Sequence, residues 1–136
     1  MVPLPRHTSI AGIPVTELIS QEKLEAIIER TRKGGGEIVG LLGYSGYFAP
    51  AAGVAIMVES ILKDKKRVIP SAIFTQGDYG YSDLFLGLPV IIGRNGAEGV
   101  IEMDLNDEER AMLDHSAVDL AGKPNEPLRI WPGALL

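Results

Sequence analysis

The chain contains no cysteine, which excludes disulfides, thiolate nucleophiles and every zinc or iron–sulfur site that depends on sulfur ligands. That absence fits a reducing cytoplasm. A long hydrophobic run is also missing: the longest apolar stretch, Leu84 to Ile92, is interrupted by Gly87 and Pro89 and falls well short of the ~20 residues a transmembrane helix needs. It reads as a buried strand. Nor is there a surplus of positive charge, since 13 Lys and Arg stand against 18 Asp and Glu, a net charge of −5. Nucleic acid and anionic membranes are therefore not expected partners. The first ten residues carry Pro3, Pro5, Arg6 and His7 where a targeting segment would place a basic stretch followed by an apolar one. The expectation is a soluble, cytoplasmic protein that binds small molecules or other proteins.

What is present is ordinary for a folded domain: 136 residues, 46% hydrophobic and 23% charged, enough to bury roughly two-thirds of the unfolded surface in one core. Met1 to Val15 holds three prolines among alternating residues and suits an edge strand or extended arm. Ser20 is placed to cap a helix over Gln21 to Lys33, with Leu24, Ile27, Ile28 and Thr31 on one face. Gly34, Gly35 and Gly36 are expected to stop that helix, leaving a short segment from Glu37 to Leu42 and a break over Gly43 to Gly46. Val54, Met57, Val58, Ile61 and Leu62 mark the best helix in the chain, with Pro50 in its first turn. Lys63 to Arg67 reads as a solvated basic face at its C-terminal end, where positive charge is favoured by the negative end of the helix dipole.

From Val68 the pattern changes to that of strands, at Val68 to Phe74, Leu84 to Ile92 and Val100 to Met103, with Asn95 and Gly96 as a hairpin signal. Asn106, with Glu109 three residues on, forms a capping box that opens a helix running to about Leu120. Beyond Gly122 the prolines Pro124, Pro127 and Pro132 fall in a stretch without periodicity. The fold class is α+β, an antiparallel sheet packed with helices, over residues 1–121, with an irregular tail over 122–136.

Chemistry-bearing residues are sparse. The two histidines, His7 and His115, have no nucleophile beside them in sequence. There is no H-E-x-x-H, no P-loop and no strand leading into G-x-G-x-x-G. Gly34 to Gly36 follow a helix and do not precede one, so they do not form a phosphate cradle. Asp104, Asp107, Glu108 and Glu109 sit at a helix start, where they favour the dipole without any catalytic role. No metal site and no catalytic set emerges from this chain; it reads as half of a site.

Four segments nevertheless carry a resemblance: MVPLPRHTSIAGIPVTELI at the start, ERTRKGGGEIV at 29–39, YFAPAAGVAIMVESILKDKKRVIP at 47–70, and GDYGYSDLFLGLPVIIGRNGAEGVIEMDLNDEE at 77–109. Over about residues 1–120 the chain resembles the C-terminal domain of the lactate/malate dehydrogenase family, and within it the malate dehydrogenases that are similar to lactate dehydrogenase. Lactate dehydrogenases place Thr, Ser and Trp where this chain has Gly46, Tyr47 and Phe48. Two departures stand out. The stretch between Leu42 and Ala49 is a residue shorter than the usual family loop, and AGKPNEPLRIWPGALL replaces the family's long amphipathic ending, as a shifted reading frame or a lineage-specific end would each do.

The resemblance implies oxidation of malate to oxaloacetate with hydride transfer to NAD. In the family the catalytic His belongs to a His-Gly-Asp motif just upstream of the segment matching Met1, Val2 and Pro3. The nucleotide fold and the substrate-clamping arginines are expected upstream as well. No catalytic residue is then expected in this chain, and the chain alone is expected to be inactive. Gly46, Tyr47 and Ala49 would form the substrate-pocket wall, and Pro50 would lie near the cofactor. A homo-oligomer or an N-terminal half is the expected partner. The alternatives are a separately encoded, non-enzymatic interaction domain and part of an L-lactate dehydrogenase.

Overall fold

The computed structural model describes residues 1–121; the expected tail over 122–136 lies outside the described residues. The chain runs through β1 (Ser9–Ile10), β2 (Ile13–Pro14), α1 (Val15–Leu18), α2 (Gln21–Leu42), α3 (Phe48–Leu62), β3 (Arg67–Gln76), β4 (Ser82–Gly93), β5 (Gly96–Val100) and α4 (Asp107–Ala121). The expected order of arm, two helices, three antiparallel strands and a helix is what forms.

The sheet has the order β3-β4-β5 and is antiparallel throughout. Period-two alternation gives β4 two unlike faces. Leu84, Leu86, Leu88, Val90 and Ile92 are all buried on one face, Val90 completely, each burial contributing about 2 kcal/mol. Both α3 and α4 contact β4, and α4 covers this face. From α4, Leu113 and Ala117 pack against Leu84, Leu86 and Leu88. With Glu109 they make a buried stripe at i, i+4, i+8. The capping box that opens α4 forms in both directions: Asn106 N–H donates to Glu109 Oε2 and Glu109 N–H to Asn106 Oδ1, each at 2.9 Å.

Several expectations need correction. The N-terminal arm is not an edge strand of the sheet. A 3-10 turn at Pro5–His7 leads into a hairpin of β1 and β2 that pair only with each other. Ala11 and Gly12, at φ 51° and 85°, make the tight turn between them, which needs two left-handed residues.

Gly34 to Gly36 do not stop α2, which continues for 22 residues to Leu42. Glycine in mid-helix costs about 1 kcal/mol each but does not forbid the ladder, and an Arg30–Glu37 ion pair at 2.8 Å spans the three glycines. The true stop is Gly43, left-handed at φ 75°, whose N–H donates to Val39 O at 2.9 Å. Ser20 does occupy the N-cap position, but its hydroxyl makes no capping hydrogen bond.

The third strand is Gly96–Val100, earlier than the expected Val100 to Met103. Gly93 pairs with Gly96 across a turn at Arg94 and Asn95, and Gly96 takes the left-handed conformation at φ 86°. Beyond it, the Tyr79 hydroxyl donates to Ile101 O at 2.9 Å and accepts from Met103 N–H at 2.7 Å. That hydroxyl anchors the segment just past β5, where Ile101 N–H still donates to Pro89 O of β4 at 2.9 Å. Finally, the stripe expected to bury α3 is largely open, with Val54, Val58 and Leu62 exposed and Ser60 the residue fully buried. The helix is apolar on every side, so periodicity cannot choose its inward face.

Candidate functional site

The positions implicated by resemblance meet at one place, the turn between α2 and α3. Gly43 ends α2, residues 44–47 turn the chain, and α3 begins at Phe48, with Ala51 N–H donating to Tyr47 O at 3.0 Å. Pro50 falls in the first helical turn, where its missing N–H leaves no bond unmade. Gly46, Tyr47, Ala49 and Pro50 thus share one loop and helix start.

Gly46 is required by close approach. A Cβ there would lie 2.9 Å from Ile38 Cγ2 and 3.8 Å from Leu42 Cδ1, so the loop lies down on α2 only because this residue has no side chain. The aromatic rings form a short stack: Tyr44 and Tyr47 have centroids 6.4 Å apart, and Tyr47 and Phe48 4.6 Å. Tyr47 is 58% exposed and Phe48 76%. Residues 38–58 contain no charged side chain and no histidine. The loop can therefore wall a pocket, stack on a planar ring and exclude water, but it offers no proton-transfer group and no cation for a carboxylate.

The titratable groups lie elsewhere. Arg6 on the arm makes a bidentate pair with Glu109, Nη2 to Oε2 at 2.7 Å and Nε to Oε1 at 3.2 Å, and also donates to Asp104 O at 3.0 Å. The guanidinium holds the Glu109 carboxyl below its ordinary range, and partial burial opposes it. His7 Nε2 lies 3.0 Å from Asp104 O, and His115, on the exposed side of α4, pairs with Asp119 at 3.3 Å. Neither histidine belongs to the α2–α3 turn.

The basic run after α3 converges on Glu59. Lys65 and Lys63 reach Oε1 at 2.7 and 2.9 Å and Arg67 reaches Oε2 at 3.1 Å. Their hydrogen bonds, Lys65 first, lower the Glu59 carboxyl to about 2. This is the solvated face that the sequence suggested. A third polar cluster joins the Tyr81 hydroxyl to Asp114 Oδ1, with Arg110 over the Tyr81 ring at 5.1 Å. Desolvation, then the hydrogen bond to Asp114, raises the phenol.

Among the described residues no group of three or more His, Asp or Glu side chains could hold a metal, and no helix is long and apolar enough to cross a membrane. Sequence reasoning missed the Arg6 partnership and the role of Tyr79. The capping box pointed to Glu109, but nothing local points across the 103 residues to Arg6. Tyr79 sits at φ 52°, a left-handed strain that no residue pattern announces.

Comparison with known proteins gives a consistent answer. Residues 1–127 match the family model described as the lactate/malate dehydrogenase alpha/beta C-terminal domain. The chain is 59% identical over 118 residues to a malate dehydrogenase of Roseiflexus castenholzii, covering 86% of this chain and 38% of that protein. It is 60% identical over 117 residues to one from Halalkalibacterium halodurans, covering 85% and 37%. Among solved structures, a malate dehydrogenase from Salinibacter ruber superimposes with a TM-score of 0.84 at 52% identity, over 87% of this chain and 39% of that one. One from Aeropyrum pernix gives 0.84 at 37% identity, over 88% and 40%. The chain spans about two-fifths of the length of the relatives it matches.

Proposed function

The chain belongs to the lactate/malate dehydrogenase family, corresponding to its alpha/beta C-terminal domain, and from that premise we propose that it is the C-terminal part of an NAD-dependent malate dehydrogenase, which oxidises malate to oxaloacetate in the cytoplasm. The observation that carries this reading is the high identity to proteins named malate dehydrogenase across the whole α2–α3 and sheet region. A lactate dehydrogenase is disfavoured by Gly46, Tyr47 and Phe48 at the turn.

In this reading Gly46, Tyr47 and Ala49 line the substrate pocket and Pro50 approaches the cofactor. Their contribution is shape and dryness. An apolar wall removes water from around a reacting centre and strengthens the electrostatic contacts made by other groups. The described residues do not by themselves fit a dinucleotide. Gly34 to Gly36 lie inside α2, with their amides committed to the helix ladder, and no strand runs into a glycine-rich helix start. The cofactor, the proton acceptor and the carboxylate-binding cation are accordingly assigned to another part of the enzyme, and no step of the reaction is routed through this chain's side chains.

The chain alone is then inactive. NADH oxidation with oxaloacetate, measured on the polypeptide purified free of host dehydrogenase, is expected to give no turnover above background. Reproducible turnover would overturn the reading. Restoring an N-terminal half from a relative is expected to restore activity with oxaloacetate in preference to pyruvate; a preference for pyruvate would instead identify a lactate dehydrogenase. The extent of exposed apolar surface on α2 and α3 favours assembly with such a half or with further copies.

A further inference from the structure

The arm that begins the chain is loosely packed. Residues 1–5 line three cavities, of about 540, 410 and 280 Å³, that open between them and α2, the sheet and α4. Val2 touches the core cluster, but β1 and β2 pair only with each other, so they give the arm no ladder bond to the larger sheet. Against that looseness stands one close fixture. Arg6 Nη2 reaches Glu109 Oε2 at 2.7 Å and Asp104 O at 3.0 Å, Arg6 Nε reaches Glu109 Oε1 at 3.2 Å, and His7 Nε2 lies 3.0 Å from the same Asp104 O. We infer that Arg6 is a positioning residue of the whole enzyme: by clasping Glu109 and the Asp104 carbonyl it fixes the arm on the start of α4, and so sets where the part of the enzyme preceding Met1 stands against the α2–α3 turn. The inference rests on the reading above, in which the cofactor and the proton acceptor belong to that preceding part.

The receiving end of the clasp is immobile. Glu109 is 4% exposed, and its Oε2 also accepts Asn106 N–H in the capping box. One and two turns further along α4, Leu113 and Ala117 are buried in the core. The giving end is directional. Two N–H groups on one planar guanidinium, each bonded to one oxygen of a carboxylate, fix orientation as well as distance. A lysine would supply the charge without the second prong. The exposed Arg30–Glu37 pair has the same two-pronged form, yet it joins two residues of α2 and constrains nothing beyond that helix. Arg6–Glu109 joins residues 103 apart in sequence, one on the arm and one on the body.

The lever is short. Five residues put Met1 within about 17 Å of the clasp, so a rotation of the arm about Arg6 carries the junction by ångströms. Misplacement of reacting groups by ~1 Å can cost about a hundredfold in rate.

The first test uses the 136-residue chain. In Arg6→Ala the His7 and Thr8 amides, which bond Leu4 O and Pro5 O, should exchange about tenfold faster or more, while those of β4 keep their wild-type rates. The second fuses the chain to an N-terminal half from a relative and follows NADH oxidation with oxaloacetate, counted per NADH-binding site so that unfolded enzyme does not register. Arg6→Ala should lower kcat about tenfold or more, Arg6→Lys should fall between it and wild type, and Arg30→Ala should match wild type. Millimolar methylguanidinium separates positioning from mere stabilisation. It can return a partner to Glu109, and with it thermal stability, but it cannot tie the arm, so kcat of Arg6→Ala should stay low. Unchanged amide exchange, a kcat indifferent to both Arg6 changes, or full recovery of kcat with methylguanidinium would each overturn the inference alone. A wild-type fusion without turnover would overturn the malate dehydrogenase reading, and this inference with it.

Discussion

The sheet with α4 and the α2–α3 pair are both rich in apolar residues, yet they fold differently. On β4 the alternate residues from Leu84 to Ile92 are buried, and Leu113 and Ala117 of α4 complete that core. On α2 and α3 residues of the same chemistry stand open: Leu41 is 80% exposed, Leu62 76% and Val54 60%, and α2 buries only Leu24. The first region supplies both sides of its own core. The second supplies one side, which is how a surface made to meet another body looks. Apolar pattern tells how much surface is to be covered, and only the structure tells by what.

The largest expected effect tests that contrast. Leu86→Ala removes most of a side chain 2% exposed from a closed core and should cost about 2–4 kcal/mol in urea denaturation. Val54→Ala, an equally apolar position on α3, should change stability by less than about 0.5 kcal/mol. Equal losses would mean that α3 is packed in solution and that the two regions are alike.

Next comes the joint that closes the first region. Tyr79→Phe removes a hydroxyl that serves Ile101 O and Met103 N–H and should cost about 1–3 kcal/mol, since two backbone groups lose their partner. Hydrogen exchange should rise at Met103 before it rises in the sheet. If Met103 stays protected, another group holds the segment.

Much of the first region could be read in advance because its signals are local. The Asn106–Glu109 box and the β4 alternation each involve neighbours within a turn or a strand. What escaped is long-range or permissive. Arg6 finds Glu109 across the whole chain, and the α3 stripe could not be oriented because Ala, Val and Ile surround the helix. The α2–α3 turn itself carried no chemical signal in an uncharged stretch; Gly46, Tyr47, Ala49 and Pro50 were singled out by resemblance alone.

Acid should separate the ion pairs by location. Glu109 has its folded-state pKa lowered by Arg6, so the unfolded chain binds the proton more readily. Its stabilising contribution is complete above the ordinary value of 4.5 and is lost as pH falls from there through the lowered one. The stability gap between the wild type and Glu109→Gln, about 1–2 kcal/mol near neutrality, should close on acidification; a gap that widened would reverse the assignment. Glu59, on the surface, should show a carboxyl NMR midpoint of about 2, and high salt should move it upward by screening its lysines.

The smallest effect concerns the three glycines, and it has the opposite sign. Gly34, Gly35 and Gly36 have ordinary helical backbones, and an added Cβ meets nothing within 4 Å at any of them. Alanine there loses less chain entropy on folding, so Gly35→Ala should stabilise the chain by about 0.5–1 kcal/mol and raise its helical circular dichroism. Had α2 ended at these glycines in a left-handed stop, the same change would cost stability. In the assembled enzyme the outcome separates two reasons for glycine. If Gly35→Ala stabilises the chain but impairs assembly with an N-terminal half, the missing side chains leave room for a partner against α2. If it stabilises both, the glycines confer only local pliancy on a helix that has no core of its own to hold it straight.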